Sequence, residues 1–113
     1  MKYLTIILIF IVSSCELFQD CKQMSEDYKL EECLLIVNQP PDSMTVKFAA
    51  SGTNIITKKK CDCVADNRWW NNYSKYIERG DTIIKRRGKL TFSIHKKDTV
   101  LNFKWSCGGK EYE

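Results

Sequence analysis

The sequence holds a single histidine, and that scarcity limits the chemistry the chain can perform. A serine or cysteine nucleophile would have to take His95 as its base, and no neighbouring pattern supports such a pair. His95 falls at the end of a strand-like stretch, on its polar side beside Lys96 and Lys97, where a surface residue is expected. A Gly-x-Ser-x-Gly elbow, a His-Glu-x-x-His helix and a phosphate-cradling glycine loop are all missing. The remaining route to catalysis is a convergence of carboxylates, for which Asp62, Asp66, Glu78 and Asp81 are the candidates. The expectation is a chain that is not an enzyme and carries no cofactor. No repeat, low-complexity tract or second domain is present, and 113 residues suffice for one domain.

Charge of one sign is not concentrated along the chain either. The net charge is +4, and Lys2 is the only charge in the first 14 residues, so the remainder carries +3. Basic and acidic residues interleave there, an ordinary soluble surface rather than the footprint of a nucleic-acid binder. The runs Lys58-Lys59-Lys60 and Lys85-Arg86-Arg87 fall where turns are expected. They read as solvated turns in preference to a polyanion-binding patch.

No apolar run is long enough to cross a bilayer. The longest, Tyr3 to Val12, is interrupted only by Thr5; as a helix it spans about 15 Å, half of a hydrocarbon core. Preceded by Lys2, it has the charged n-region and short h-region of a secretory signal. Val12-Ser13-Ser14-Cys15 then resembles the lipobox of bacterial lipoproteins: an aliphatic residue, two small residues and a cysteine. Small residues admit the extended chain to the signal peptidase, and only a thiol takes the diacylglyceryl thioether. The resemblance implies that Cys15 becomes an acylated N-terminus anchored in a membrane of the cell envelope. Two or three acyl chains, at about 0.8 kcal/mol per buried methylene, make such an anchor effectively permanent. The outer membrane is favoured. Glu16 and Asp20 are too sparse to form a surface-export cluster, which leaves the periplasmic and surface faces both open.

Three segments follow: a signal peptide over 1–14, a lipidated N-terminus and tether over 15–31, and one small β domain over 32–113. The tether is polar with scattered apolar residues and suits at most one loose helical turn. Cys33 to Val37 is a compact apolar run, stopped by Asn38-Gln39-Pro40-Pro41-Asp42. Met44, Val46, Phe48 and Ala50 alternate as one face of a half-buried strand. Ser51-Gly52-Thr53-Asn54 is then expected to turn the chain, and Ile55-Ile56-Thr57 to begin another run. Residues 69–77 fit helix and strand alike, with Asn67 a plausible cap for the helix. Gly80-Asp81 leads into Thr82-Ile83-Ile84. Leu90, Phe92 and Ile94 then face Leu101, Phe103 and Trp105 across a polar loop, a β-hairpin with one apolar face. The fold class predicted is mainly β: a small antiparallel sandwich or partly open barrel of about six strands, with room for one short helix.

Acylation of Cys15 leaves Cys21, Cys33, Cys61, Cys63 and Cys107, which should pair in an oxidising compartment. Neighbouring positions on one strand face would strain a direct Cys61–Cys63 bond. Cys107 is therefore expected to join Cys61 or Cys63, and Cys21 to join Cys33. A metal site built from Cys61, Cys63, Cys107 and His95 is disfavoured, because the spacing is Cys-x-Cys without a second pair. Arg68-Trp69-Trp70 is the most distinctive local feature. Both tryptophans are expected to fill a thin core. The competing reading presents one of them, beside Arg68, to a sugar or a partner's ring.

With the lipobox, Asp62-Cys63, Asn67-Arg68-Trp69-Trp70, the stretch from Tyr76 to Lys85 and that from Ile94 to Thr99, the chain resembles short lipoproteins of flavobacteria-type bacteria. That resemblance covers most of the chain after Cys15 and brings no catalytic residues with it. Anchor, small β domain and missing catalytic set together suggest a non-enzymatic binding or structural lipoprotein. Its partners would be the membrane, through the lipid on Cys15, and an unidentified protein or glycan, not nucleic acid. The alternative is an immunity or inhibitor lipoprotein that neutralises an envelope-acting toxin or lytic enzyme.

Overall fold

The computed structural model describes residues 20–66 and 68–113. The expected signal peptide over 1–14, Cys15 and the candidate cap Asn67 lie outside the described residues. The fold is mainly antiparallel β, as predicted. Six strands form one sheet: β1 (Cys33–Gln39), β2 (Phe48–Asn54), β3 (Lys60–Ala65), β4 (Thr82–Lys85), β5 (Thr91–His95) and β6 (Val100–Lys104). Their order is β3-β2-β1-β4-β5-β6, every neighbouring pair antiparallel. The edge strands β3 and β6 do not pair, so the sheet is not a closed barrel. β7 (Ser106–Cys107) and β8 (Lys110–Glu111) form a small second sheet. Helical segments are α1 over residues 20–30, α2 (Arg68–Asn71) and a 3-10 turn (Ser74–Tyr76).

Alternation along the strands gives the sheet one buried face. Cys33, Leu35 and Val37 of β1, Phe48 and Ala50 of β2, Cys63 and Ala65 of β3, Ile83 of β4, and Phe92 and Ile94 of β5 all point to it. Trp69, Trp70 and Ile77 cover this face from the helical side. Trp70 meets Phe48 edge-on at 5.5 Å and lies 5.6 Å from Phe92. The sheet is strongly coiled. Cys33 and Cys63 sit on strands separated by β2 and lie about seven residues out of register, which in a flat sheet would place them more than about 20 Å apart. Their Cα atoms are only 5.8 Å apart, joined by a disulfide across the concave side.

The β5–β6 hairpin follows the sequence expectation, with Phe92 opposite Phe103 and Ile94 opposite Leu101. Residues 44–54 do not. Met44 and Val46 are exposed in the loop before β2, and the inward face begins at Phe48. Ser51-Gly52-Thr53-Asn54, expected to turn, continues β2, and the turn comes after it. Asn54 explains the shift: its Oδ1 accepts from the amides of Ile56 and Thr57, which folds the chain back where the isoleucines suggested a strand. Gly52 stays in the ladder because β1 approaches it closely. A Cβ there would stand 1.9 Å from the carbonyl oxygen of Ile36, beside the irregularity between Val37 and Gln39.

Residues 20–30, placed in the tether by the sequence, are about three turns of helix. A disulfide joins Cys21 to Cys107, and Tyr28 packs edge-on against Trp105 at 5.4 Å. The last carbonyls of α1 are met by Lys85, whose Nζ donates to Tyr28 O and Glu31 O, both at 2.5 Å. Lys85 is therefore not part of a solvated turn. It ends β4 and is completely buried.

Candidate functional site

The residues singled out in the sequence are spread over the fold. α2 places Trp69 and Trp70 in the core at 5 % and 2 % exposure, so neither is presented outward. Only Arg68 of that trio is exposed. A short helix, rather than a strand, lets adjacent tryptophans share the covering layer. Trp69 leans towards Tyr28 and donates from Nε1 to Tyr73 Oη at 2.9 Å, while Trp70 enters between Phe48 and Phe92. Burial and that hydrogen bond act in opposite senses on the Tyr73 phenol; burial dominates and raises its pKa above the ordinary value.

What remains of this region as a binding surface is a shallow groove of about 220 Å³ between α1, α2 and the β6–β7 segment. Trp69, Tyr73 and Trp105 contribute aromatic edges, and Arg68, Lys104 and Asn72 contribute polar groups. Lys104 is also paired with Glu113 at 3.5 Å. Sequence reasoning named Arg68 and Trp69 here but missed the contribution of α1, because nothing in the chain announced that residues 20–30 fold back on the domain.

The four candidate carboxylates have separate employments. Asp81 is buried, and its Oδ2 accepts from Lys96 Nζ at 2.5 Å and from the Glu78 amide at 2.8 Å. That arrangement fixes the turn before β4. The Glu78 side chain is exposed, Asp62 is exposed on β3, and Asp66 forms a loose pair with Lys47 at 3.9 Å. His95 is exposed at the end of β5.

The cysteines form two disulfides, but the expected pairings are corrected. Cys21 joins Cys107 and Cys33 joins Cys63; Cys61 is the free thiol among the described residues. A Cys21–Cys33 bond fails because the intervening helix rises about 14 Å, twice the separation a disulfide tolerates. Cys107 is carried by β7 to the start of α1, away from β3. Coiling of the sheet brings Cys33 against Cys63, which leaves half-buried Cys61 over, donating to the Asp62 carbonyl at 3.7 Å. Cys63, Cys107 and His95 are thus not brought to one place. Among the described residues no three His, Cys, Asp or Glu side chains are grouped to hold a metal ion, and no helix is long and apolar enough to cross a membrane. No protein-family model, curated protein or solved structure matches the chain.

Proposed function

We propose that this chain is a lipid-anchored protein of a bacterial cell envelope, acylated at Cys15, whose folded part binds a partner or serves a structural role rather than catalysing a reaction. The observation that carries this reading is the N-terminal pattern: Lys2, the apolar run to Val12, then Ser13-Ser14-Cys15. Two disulfides suit an oxidising compartment outside the cytoplasm. The outer membrane is the favoured location, and the partner is a protein or glycan met at the exposed surface.

The test is metabolic labelling with a fatty-acid probe in the producing cell. The native chain is expected to take up label and to be shortened by its first 14 residues. Cys15→Ala is expected to remain an unlabelled, unprocessed precursor, because no other side chain accepts the thioether lipid. Label retained in that variant overturns the anchor.

A further inference from the structure

Two basic runs, far apart in the chain, meet at one end of the sheet. β1 begins at this end, between the β2–β3 turn and the β4–β5 turn. Leu35 pairs with Asn54, the last residue of β2, and Cys33 pairs with Lys85, the last of β4. The two turns are therefore three inter-strand spacings apart, roughly 14 Å before coiling. α1 terminates here as well, the Gly88 amide donating to Lys29 O at 2.7 Å.

Lys58, Lys59 and Lys60 on one side and Arg86, Arg87 and Lys89 on the other are all exposed. Against these six exposed cations stand Glu31 and Glu32, while buried Lys85 and half-buried Lys29 add two further positive charges at the same end. The ion pairs among the described residues are Lys47–Asp66, Asp81–Lys96 and Lys104–Glu113, and none involves the six. Two aliphatic side chains project from the same end: Ile56, 67 % exposed in the β2–β3 turn, and Leu30, 64 % exposed at the end of α1. The turn that holds Ile56 is fixed by Asn54 Oδ1 and by Lys58 at φ 64°.

Cations alone would suit any polyanion. Cations surrounding projecting aliphatic groups match the boundary of an anionic bilayer, where headgroups take the charge and acyl chains take the apolar tips. The chain path agrees. Cys15 precedes Asp20, the first residue of α1, by five positions, a reach of at most about 18 Å. α1 rises about 15 Å from there to Leu30 at the docking end, so the connection is long enough to let that end meet the membrane holding the anchor. We propose that this end docks on the anionic headgroup surface of the membrane, Ile56 and Leu30 entering the interface and the six cations lying over the headgroups. The proposal takes the nearness of the membrane from the anchored reading.

The test places the acylated protein on vesicles of phosphatidylcholine alone and of phosphatidylcholine with an equal share of phosphatidylglycerol. Flotation with the neutral vesicles reports the anchor. Docking is reported by amide hydrogen exchange: residues 55–60 and 86–89 should gain protection on the anionic vesicles only, and lose it at high salt. Lys58→Gln, Lys59→Gln and Arg86→Gln should each lower the docking equilibrium about fivefold. Ile56→Gln should weaken it without changing the charge. Equal protection on both vesicle types, in a protein that floats with both, overturns the docking and leaves the anchor standing. The same protection produced by heparin without vesicles, and indifferent to Ile56→Gln, overturns it in favour of a soluble polyanion. Failure to float with neutral vesicles counts against the anchor, while protection on anionic vesicles still reads the docking.

Discussion

At the scale of single residues, Lys85 is the side chain whose environment departs furthest from what the sequence suggests. Its ammonium group is fully buried and held by the terminal carbonyls of α1, the position where a helix dipole favours positive charge. Burial nevertheless pulls its pKa down to about 8, with Glu31 and Glu32 opposing the shift and Arg87 lowering it slightly further. In the unfolded chain the group titrates near 10.5. Between these values the unfolded state binds more protons than the folded one, so this group's contribution to stability rises with pH. Between pH 7 and about 9.5 the native protein should gain about 2 kcal/mol relative to Lys85→Met, which has no proton to lose. Tyr28 and Tyr73, both raised above the usual phenol value of 10, stay neutral in that window. Urea unfolding of both proteins at a series of pH values provides the check, and parallel stability curves would show that Lys85 keeps a solvent-like pKa.

At the scale of elements, the helical cover on the sheet depends on α2. Trp70→Ala should cost about 3–5 kcal/mol, since it empties the space between Phe48 and Phe92. Arg68→Ala, at an exposed position, should change stability by less than about 0.5 kcal/mol. Thermal melts of the two variants distinguish them, and a stable Trp70→Ala would mean that the tryptophan is not a core residue. Element by element, legibility follows how local the determining interaction is. The β5–β6 hairpin is readable because Leu90, Phe92 and Ile94 alternate without interruption and the pleat alone decides their face. Asn54 defeats the reading of β2, because its side chain captures two amides and overrides the strand propensity of Ile55 and Ile56. α1 is illegible because its partners are remote: Cys107 and Lys85 hold it from across the fold. The same reasoning applies to the candidate site. Arg68 and Trp69 are conspicuous in the sequence, whereas the clustering of the two basic runs needs the strand order.

At the scale of the whole molecule, the disulfides link fold to compartment. One closes 86 positions and the other 30, and together they tie α1 to the C-terminal segment and pin β1 to β3 across the concave side of the open, coiled sheet. Each contributes roughly 2–4 kcal/mol in a chain-entropy account. A small domain has a total stability of about 5–15 kcal/mol, so losing both bonds removes a large part of it. The core offers little compensation, because the second layer over the sheet is built from only a few side chains, Trp69 and Trp70 of α2 and Ile77 after the 3-10 turn among them. The reduced protein should therefore unfold at a markedly lower urea concentration than the oxidised one, by an amount corresponding to about 4–8 kcal/mol. Tryptophan fluorescence with and without a thiol-free reductant measures this, because Trp69, Trp70 and Trp105 all lose their buried surroundings on unfolding. Coincident curves would show that the sheet and its helical cover hold without covalent help. A shift of the expected size would mean that the chain reaches its full stability only where its thiols are oxidised, in keeping with the envelope location proposed above.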